Sequence, residues 1–78
     1  MPSRRKSLRE VFGLNVRLER TRLGITQEEL AGRVQTDQGY VSQIERGAVS
    51  PSLDIVERFS RALAVTPAAL LDEDLGRK

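Results

Sequence analysis

Cysteine and histidine are both absent from the 78 residues, and together the two absences remove most reaction chemistry. There is no disulfide, no thiolate nucleophile and no imidazole base, and the commonest transition-metal ligands are missing. Aromatic residues are scarce, with no tryptophan, one tyrosine and two phenylalanines. Phe12, Tyr40 and Phe59 are too few to build a stacking platform for single-stranded nucleic acid. No unbroken apolar run exceeds four residues, Ala68 to Leu71 being one, against the roughly 18 of a membrane span, and no apolar segment follows the basic start. A length of about half the usual domain leaves no room for a catalytic core beside a substrate domain. The expectation is one small cytoplasmic domain that is not an enzyme, with no cofactor, metal, membrane or small-molecule ligand. A chain this short buries only about 60% of its unfolded surface, which leaves self-association as the available source of extra stability.

Charge is present in quantity and unevenly placed. Charged residues make up 31% of the chain, and the formal net charge is +2. Residues 1–22 carry seven basic side chains (Arg4, Arg5, Lys6, Arg9, Arg17, Arg20, Arg22) against Glu10 and Glu19, a net of +5, so the remainder sums to −3. A positive end suits a polyanion, and it equally suits a solvated charge run.

Apolar spacing and punctuation predict an all-α chain of about five short helices. Residues 1–7 read as a flexible basic arm ending at Ser7, a candidate helix cap, and residues 8–75 as the folded domain, with a frayed tail over 76–78. Leu8, Val11, Phe12, Val16 and Leu23, flanked by Leu14 and Leu18, mark one amphipathic helix. Gly24 stops it in a left-handed cap with Ile25 folding back. Thr26 and Glu29 then form a capping box, with Ile25 and Leu30 as a hydrophobic staple, over a helix from Gln27 to Val34 that buries Leu30, Ala31 and Val34. After Gln35 and Thr36, Asp37 caps a third helix with Tyr40, Val41 and Ile44 on its apolar side, ended by Gly47. Ser52 caps a fourth helix that turns Leu53, Val56, Phe59, Ala62 and Leu63 inward. Thr66 with Pro67 opens a short fifth, with Leu70 and Leu71 inward and Leu75 continuing the stripe.

A short, doubly capped helix joined by a few polar residues to another describes a helix-turn-helix, and generic helical hairpins share that outline. The outward face of the third helix is more specific. It consists of Gln38, Gly39, Ser42, Gln43 and Arg46, which are polar, small and almost uncharged, whereas solvated faces are usually rich in Glu and Lys. Gln pairs bidentately with adenine N6 and N7, and Gly or Ser permits close approach to a groove floor.

Three stretches, LGITQEELAGRV, YVSQIERG and PSLDIVERFSRALAVTPAALL, make the chain from Val16 to Leu71 resemble the Cro/C1-type (XRE) helix-turn-helix family, which includes lambdoid phage repressors and restriction-modification controller proteins. The resemblance implies a five-helix repressor-like domain with a recognition helix over about 38–46. It implies base contacts from Gln38, Gly39 and Gln43. Backbone contacts are implied from Gln27, which in the family also braces the recognition helix, and from Tyr40, Ser42, Arg46 and Arg17. It matches Arg20 and Glu45 to an ion pair between helices one and three. The chain departs from the family at Gln35, where Gly is usual, at Thr36, where an apolar residue is usual, and at Ala48, where a basic residue is frequent. A left-handed Gln35 would cost about 1–2 kcal/mol.

Bland readings stand beside these. Gln38 and Gln43 are read as plain surface residues, Arg17 as part of a solvated helix face, Arg46 as a cation answering the helix dipole, and Tyr40 as cover for the core edge. Arg4, Arg5 and Lys6 are read as a disordered arm or a groove contact. The leading expectation is a regulator of transcription that binds double-stranded DNA as a homodimer on a pseudo-palindromic operator and controls its own gene. Val65, Leu70, Leu71 and Leu75 are expected at the dimer interface. RNA polymerase is a further partner if Asp54, Glu57 or Asp72 to Asp74 form an activating surface. The competing reading is an antitoxin-like or other protein-binding module on the same fold.

Overall fold

The computed structural model describes residues 6–74. Within them the chain forms five helices and no strand: α1 (Leu8–Leu23), α2 (Gln27–Val34), α3 (Gln38–Glu45), α4 (Leu53–Leu63) and α5 (Pro67–Leu70). Arg4 and Arg5 of the expected basic arm, Leu75 and the expected tail over 76–78 lie outside the described residues.

Local chemistry sets each helix start. Ser7, Thr26, Asp37, Ser52 and Thr66 all sit in extended backbone, and each side chain accepts the N–H three residues on. Such caps contribute about 1 kcal/mol each by occupying donors that no helical carbonyl can reach. Ser7 and Glu10 form a second capping box, reciprocal like that of Thr26 and Glu29. Its S-x-x-E spacing was visible in the sequence and passed over. At the end of α1, Gly24 takes φ 71°, its N–H reaches Thr21 and the Ile25 N–H reaches Arg20; Ile25 packs half-buried on the core. Gly47, at φ 70°, closes α3 in the same way, with the Ala48 N–H bonded to the Gln43 carbonyl. Gln35 adopts φ 67° and Ala64 φ 59°, so of the two possibilities at Gln35, a left-handed residue or a remodelled turn, the left-handed one is present, and a second such residue follows α4.

The helices enclose one core of Phe12, Val16, Leu30, Val34, Val41, Ile44, Phe59, Leu63 and Leu70, with Val56 and Ala31 at its margin. Each large apolar side chain so buried contributes about 1.5–3 kcal/mol. Phe12 and Phe59 meet edge to face, ring centres 5.7 Å apart. Asn15 is buried among them and donates to the carbonyls of Leu70 at 2.9 Å and Asp72 at 2.8 Å, which ties the end of α5 to the middle of α1. No helix among the described residues is long and apolar enough to cross a membrane.

Three inward assignments are corrected. Leu53 is 83% exposed, Leu8 59% and Leu23 45%, because each lies in the first or last turn of its helix, where no other described element covers it. Leu70, expected at a dimer surface, is fully buried in the chain's own core. Val65 and Leu71 are half-buried against that core.

Candidate nucleic-acid interface

α3 is two turns long, and its sequence divides it cleanly. Val41 and Ile44 are buried, while Gln38, Gly39, Gln43 and Arg46 are exposed and Ser42 is half-buried. Tyr40 is partly covered against the core, so its ring serves the core edge whatever its hydroxyl does. Arg46 donates to the Ser42 hydroxyl at 2.6 Å, which places two of the three backbone-contact candidates of the third helix side by side. Arg17 is exposed on α1 and takes no part in these contacts.

A polar network fixes the α3 side chains to the two preceding helices. Glu45 Oε2 accepts from Arg20 Nε at 2.6 Å, and Oε1 accepts from Arg20 Nη2 at 3.0 Å. This bidentate pair leaves 16% of the Arg20 side chain and 4% of the Glu45 side chain exposed. The Glu45 hydrogen bond, with its charge, holds the Arg20 guanidinium above its ordinary pKa against the opposing effect of burial. Arg20 Nη1 also donates to the Ile25 carbonyl at 2.9 Å. The same Glu45 Oε1 accepts from Gln27 Nε2 at 3.0 Å, and Gln27 Oε1 accepts from Gln38 Nε2 at 2.7 Å.

The chain of bonds has a direction. A carboxylate only accepts, so Gln27 presents its amide nitrogen to Glu45 and its oxygen to Gln38. Gln38 therefore presents nitrogen to Gln27, and its own oxygen and second N–H remain for a ligand. Arg20, Gln27 and Gln38, with Thr26 and Glu28, border an open depression beside the start of α2.

One residue of the site escaped the sequence reading. A Cβ added at Gly13 would collide with the Ile44 carbonyl oxygen and come within 3.1 Å of that of Glu45, so α1 and α3 touch backbone to backbone there. The available signal was a glycine inside an otherwise well-formed helix, which commonly marks close approach.

A helix-turn-helix family model matches residues 16–70. The control protein C.BamHI of Bacillus amyloliquefaciens is 42% identical over 67 residues, 85% of this chain and 83% of its own length. The restriction-modification controller protein C.AhdI from Aeromonas hydrophila superposes with a TM-score of 0.76 at 35% identity, over 80% of this chain and 90% of its own. The P22 c2 repressor protein, solved in complex with a synthetic operator, gives 0.74 at 32% identity, over 81% and 96%. Sequence match and helix order agree, and the chain belongs to the Cro/C1-type helix-turn-helix family of transcriptional regulators and has its DNA-binding fold.

Proposed function

We propose that the protein is a homodimeric, sequence-specific regulator of transcription that acts in the cytoplasm, binds double-stranded DNA on a pseudo-palindromic operator and controls its own gene. The observation that carries this reading is the exposed face of α3, whose first reader, Gln38, is held by Gln27 with its carbonyl and one N–H unspent. That pair of groups matches the N6–H and N7 of adenine in the major groove. Gln38, Gly39 and Gln43 read base edges, and Gln27, Tyr40, Ser42, Arg46 and Arg17 hold phosphates. The P22 c2 repressor bound to operator DNA and the controller protein C.AhdI support the assignment as similar folds at this level of identity. Two copies would set their reading helices roughly 34 Å apart, over half-sites about 10 bp apart. Where the regulation is activation, RNA polymerase is the added partner.

Footprinting on the DNA upstream of its own gene locates the operator, and binding isotherms at several salt concentrations then separate reading from holding. Gln43→Ala should lose about 1–3 kcal/mol on the operator and little on random DNA. Arg17→Ala or Arg46→Ala should weaken both and reduce the salt dependence by about one ion each. Equal loss on both DNAs for Gln43→Ala, or no loss on either, removes α3 as the reader and leaves the protein-binding reading in its place.

A further inference from the structure

A second charged surface lies outside the reading face. From the end of α1 to the end of α5 the sequence has four basic residues, Arg33, Arg46, Arg58 and Arg61. Arg46 stands at the end of α3, and the other three border one open depression of about 330 Å³ together with Val34, Gln35 and Ala62. No residue of α1 or α3 borders it. It lies where the ends of α2 and α4 meet, and Arg33 reaches across to the Ala62 carbonyl at 3.4 Å.

Helix dipoles account for two of the three arginines. Arg33 and Arg61 stand in the last turn of their helices, where a cation answers the negative helix end. Arg58 stands in the middle of α4, one turn before Arg61 on the same face, where like charges repel. It is exposed and has no ion-pair partner among the described residues. The neighbouring carboxylates neutralise the cluster only in part. Glu57 reaches Arg61 at 3.3 Å with both side chains open to water, a pairing that holds weakly. The Glu29 carboxylate is engaged by the Thr26 backbone and hydroxyl ahead of the Arg33 charge.

We propose that this corner docks an acidic polypeptide segment of another protein, with its carboxylates on Arg33, Arg58 and Arg61. The mixed character of the rim decides against a DNA backbone as the occupant. The last carbonyls of α2 and α4 have no helical partner and stand beside the arginines, so the corner offers acceptors as well as donors. A phosphate backbone brings acceptors only and would set its oxygens against those carbonyls. A polypeptide brings carboxylates for the guanidiniums and N–H groups for the carbonyls. No residue assigned above to base or phosphate contact borders the depression, so a docked segment and a bound operator do not compete for the same side chains. The inference goes beyond the regulatory reading and stands or falls separately from it.

Titration of a hexaglutamate peptide into the isotope-labelled full chain, followed by amide NMR, tests this on the free protein. The shifts should fall on the last turns of α2 and α4. Arg58→Ala and Arg61→Ala should each raise the peptide dissociation constant about fivefold or more, and Arg58→Glu about tenfold or more. Arg9→Ala removes the same charge from α1 and should leave the constant within about twofold. Arg9, Arg58 and Arg61 are all exposed, so the variants should melt near wild type. No saturable binding, shifts centred on α3, or an equal loss with Arg9→Ala overturns the docking site. If Arg58→Ala weakens binding to random double-stranded DNA as much as Arg46→Ala does, the corner is a phosphate contact and the proposal falls as well. An Arg58→Ala variant that loses the peptide and keeps its DNA binding upholds the docking site, whatever Gln43→Ala shows about the reader.

Discussion

Replacing Glu45 with alanine removes the side chain on which α1, α2 and α3 converge. The Arg20 guanidinium would keep the Ile25 carbonyl at 2.9 Å and lose both carboxylate bonds, and the Gln27 amide would lose its acceptor. Breaking a buried ion pair from one side costs about 3–5 kcal/mol, and breaking an exposed one about 0–1 kcal/mol. Arg20 retains 16% exposure, which lets water reach part of the abandoned charge and places the expected loss at about 2–4 kcal/mol. A domain of this length has about 4–12 kcal/mol in total, so the variant should lose a large fraction of its stability and a visible part of its denaturant midpoint. Urea melts followed by circular dichroism give the value. The control is Glu57→Ala, whose pair with Arg61 leaves the two side chains 56% and 77% exposed; it should cost no more than about 0.5 kcal/mol. Replacing both members, Arg20→Met with Glu45→Leu, leaves no orphaned charge and should cost less than Glu45→Ala alone. If Glu45→Ala and Glu57→Ala melt alike, the account of the Arg20–Glu45 bridge is wrong.

Gly13→Ala should destabilise by about 3 kcal/mol or more, since the obstructing atoms are backbone carbonyls of α3 rather than a side chain that can turn away; a wild-type melting curve would refute the close approach. Gln35→Gly and Ala64→Gly, at φ 67° and φ 59°, should each stabilise by roughly 0.5–1 kcal/mol after the extra entropy of an unfolded glycine is deducted, and a loss of stability at either site would contradict the strain argument. The Thr26 backbone N–H and hydroxyl hold the Glu29 carboxyl below its ordinary pKa. Its contribution is therefore complete above the ordinary carboxylate range and lost as pH falls through the lowered value. The stability gap between wild type and Glu29→Gln should close on acidification, and a gap independent of pH would refute the capping role.

The helices were legible because their boundaries are decided locally. A capping serine, threonine or aspartate and a left-handed stop act within a few residues, so α2 and α3 could be bounded from the sequence without a view of the core. The contents of the core were less legible, because burial depends on what lies opposite. Leu53 keeps the apolar rhythm of Val56, Phe59 and Leu63, yet it lies in the first turn of α4 and nothing described covers it. Asn15 breaks the apolar stripe of α1 and is nevertheless buried, its partners being carbonyls more than fifty residues away. Of the site, the Arg20–Glu45 pair followed from the family resemblance. The Gln27 link was visible there only as bracing, and its bonding direction required the carboxylate at the far end. Gly13 was missed because a glycine in a helix signals a close approach without saying which element makes it, and the carbonyls it meets belong to α3, some thirty residues away.

Stability and reading are separable demands on this network. An eight-residue helix is too short to persist alone, helices below about 12–15 residues being marginal in water, so the position of α3 is the position its neighbours impose. At its second turn the backbone rests on Gly13 and the Glu45 side chain is clamped by Arg20; at its first turn Asp37 caps it and Gln27 holds Gln38. The apolar face formed by Val41 and Ile44 is enough to keep α3 attached, but apolar contacts are non-directional and tolerate small slides and rotations. Bidentate pairing with a base does not, since it needs two hydrogen bonds formed together in one plane. A buried ion pair often adds little over apolar replacements of the same shape, and here its use is directional: it fixes the angle of α3 on α1 and, through Gln27, which face of the Gln38 amide is offered. If α3 reads bases as proposed, an apolar replacement of the Arg20–Glu45 pair would therefore keep a folded domain and blunt its discrimination between bases, a division of labour that follows from the geometry of the bonds and not from their strength.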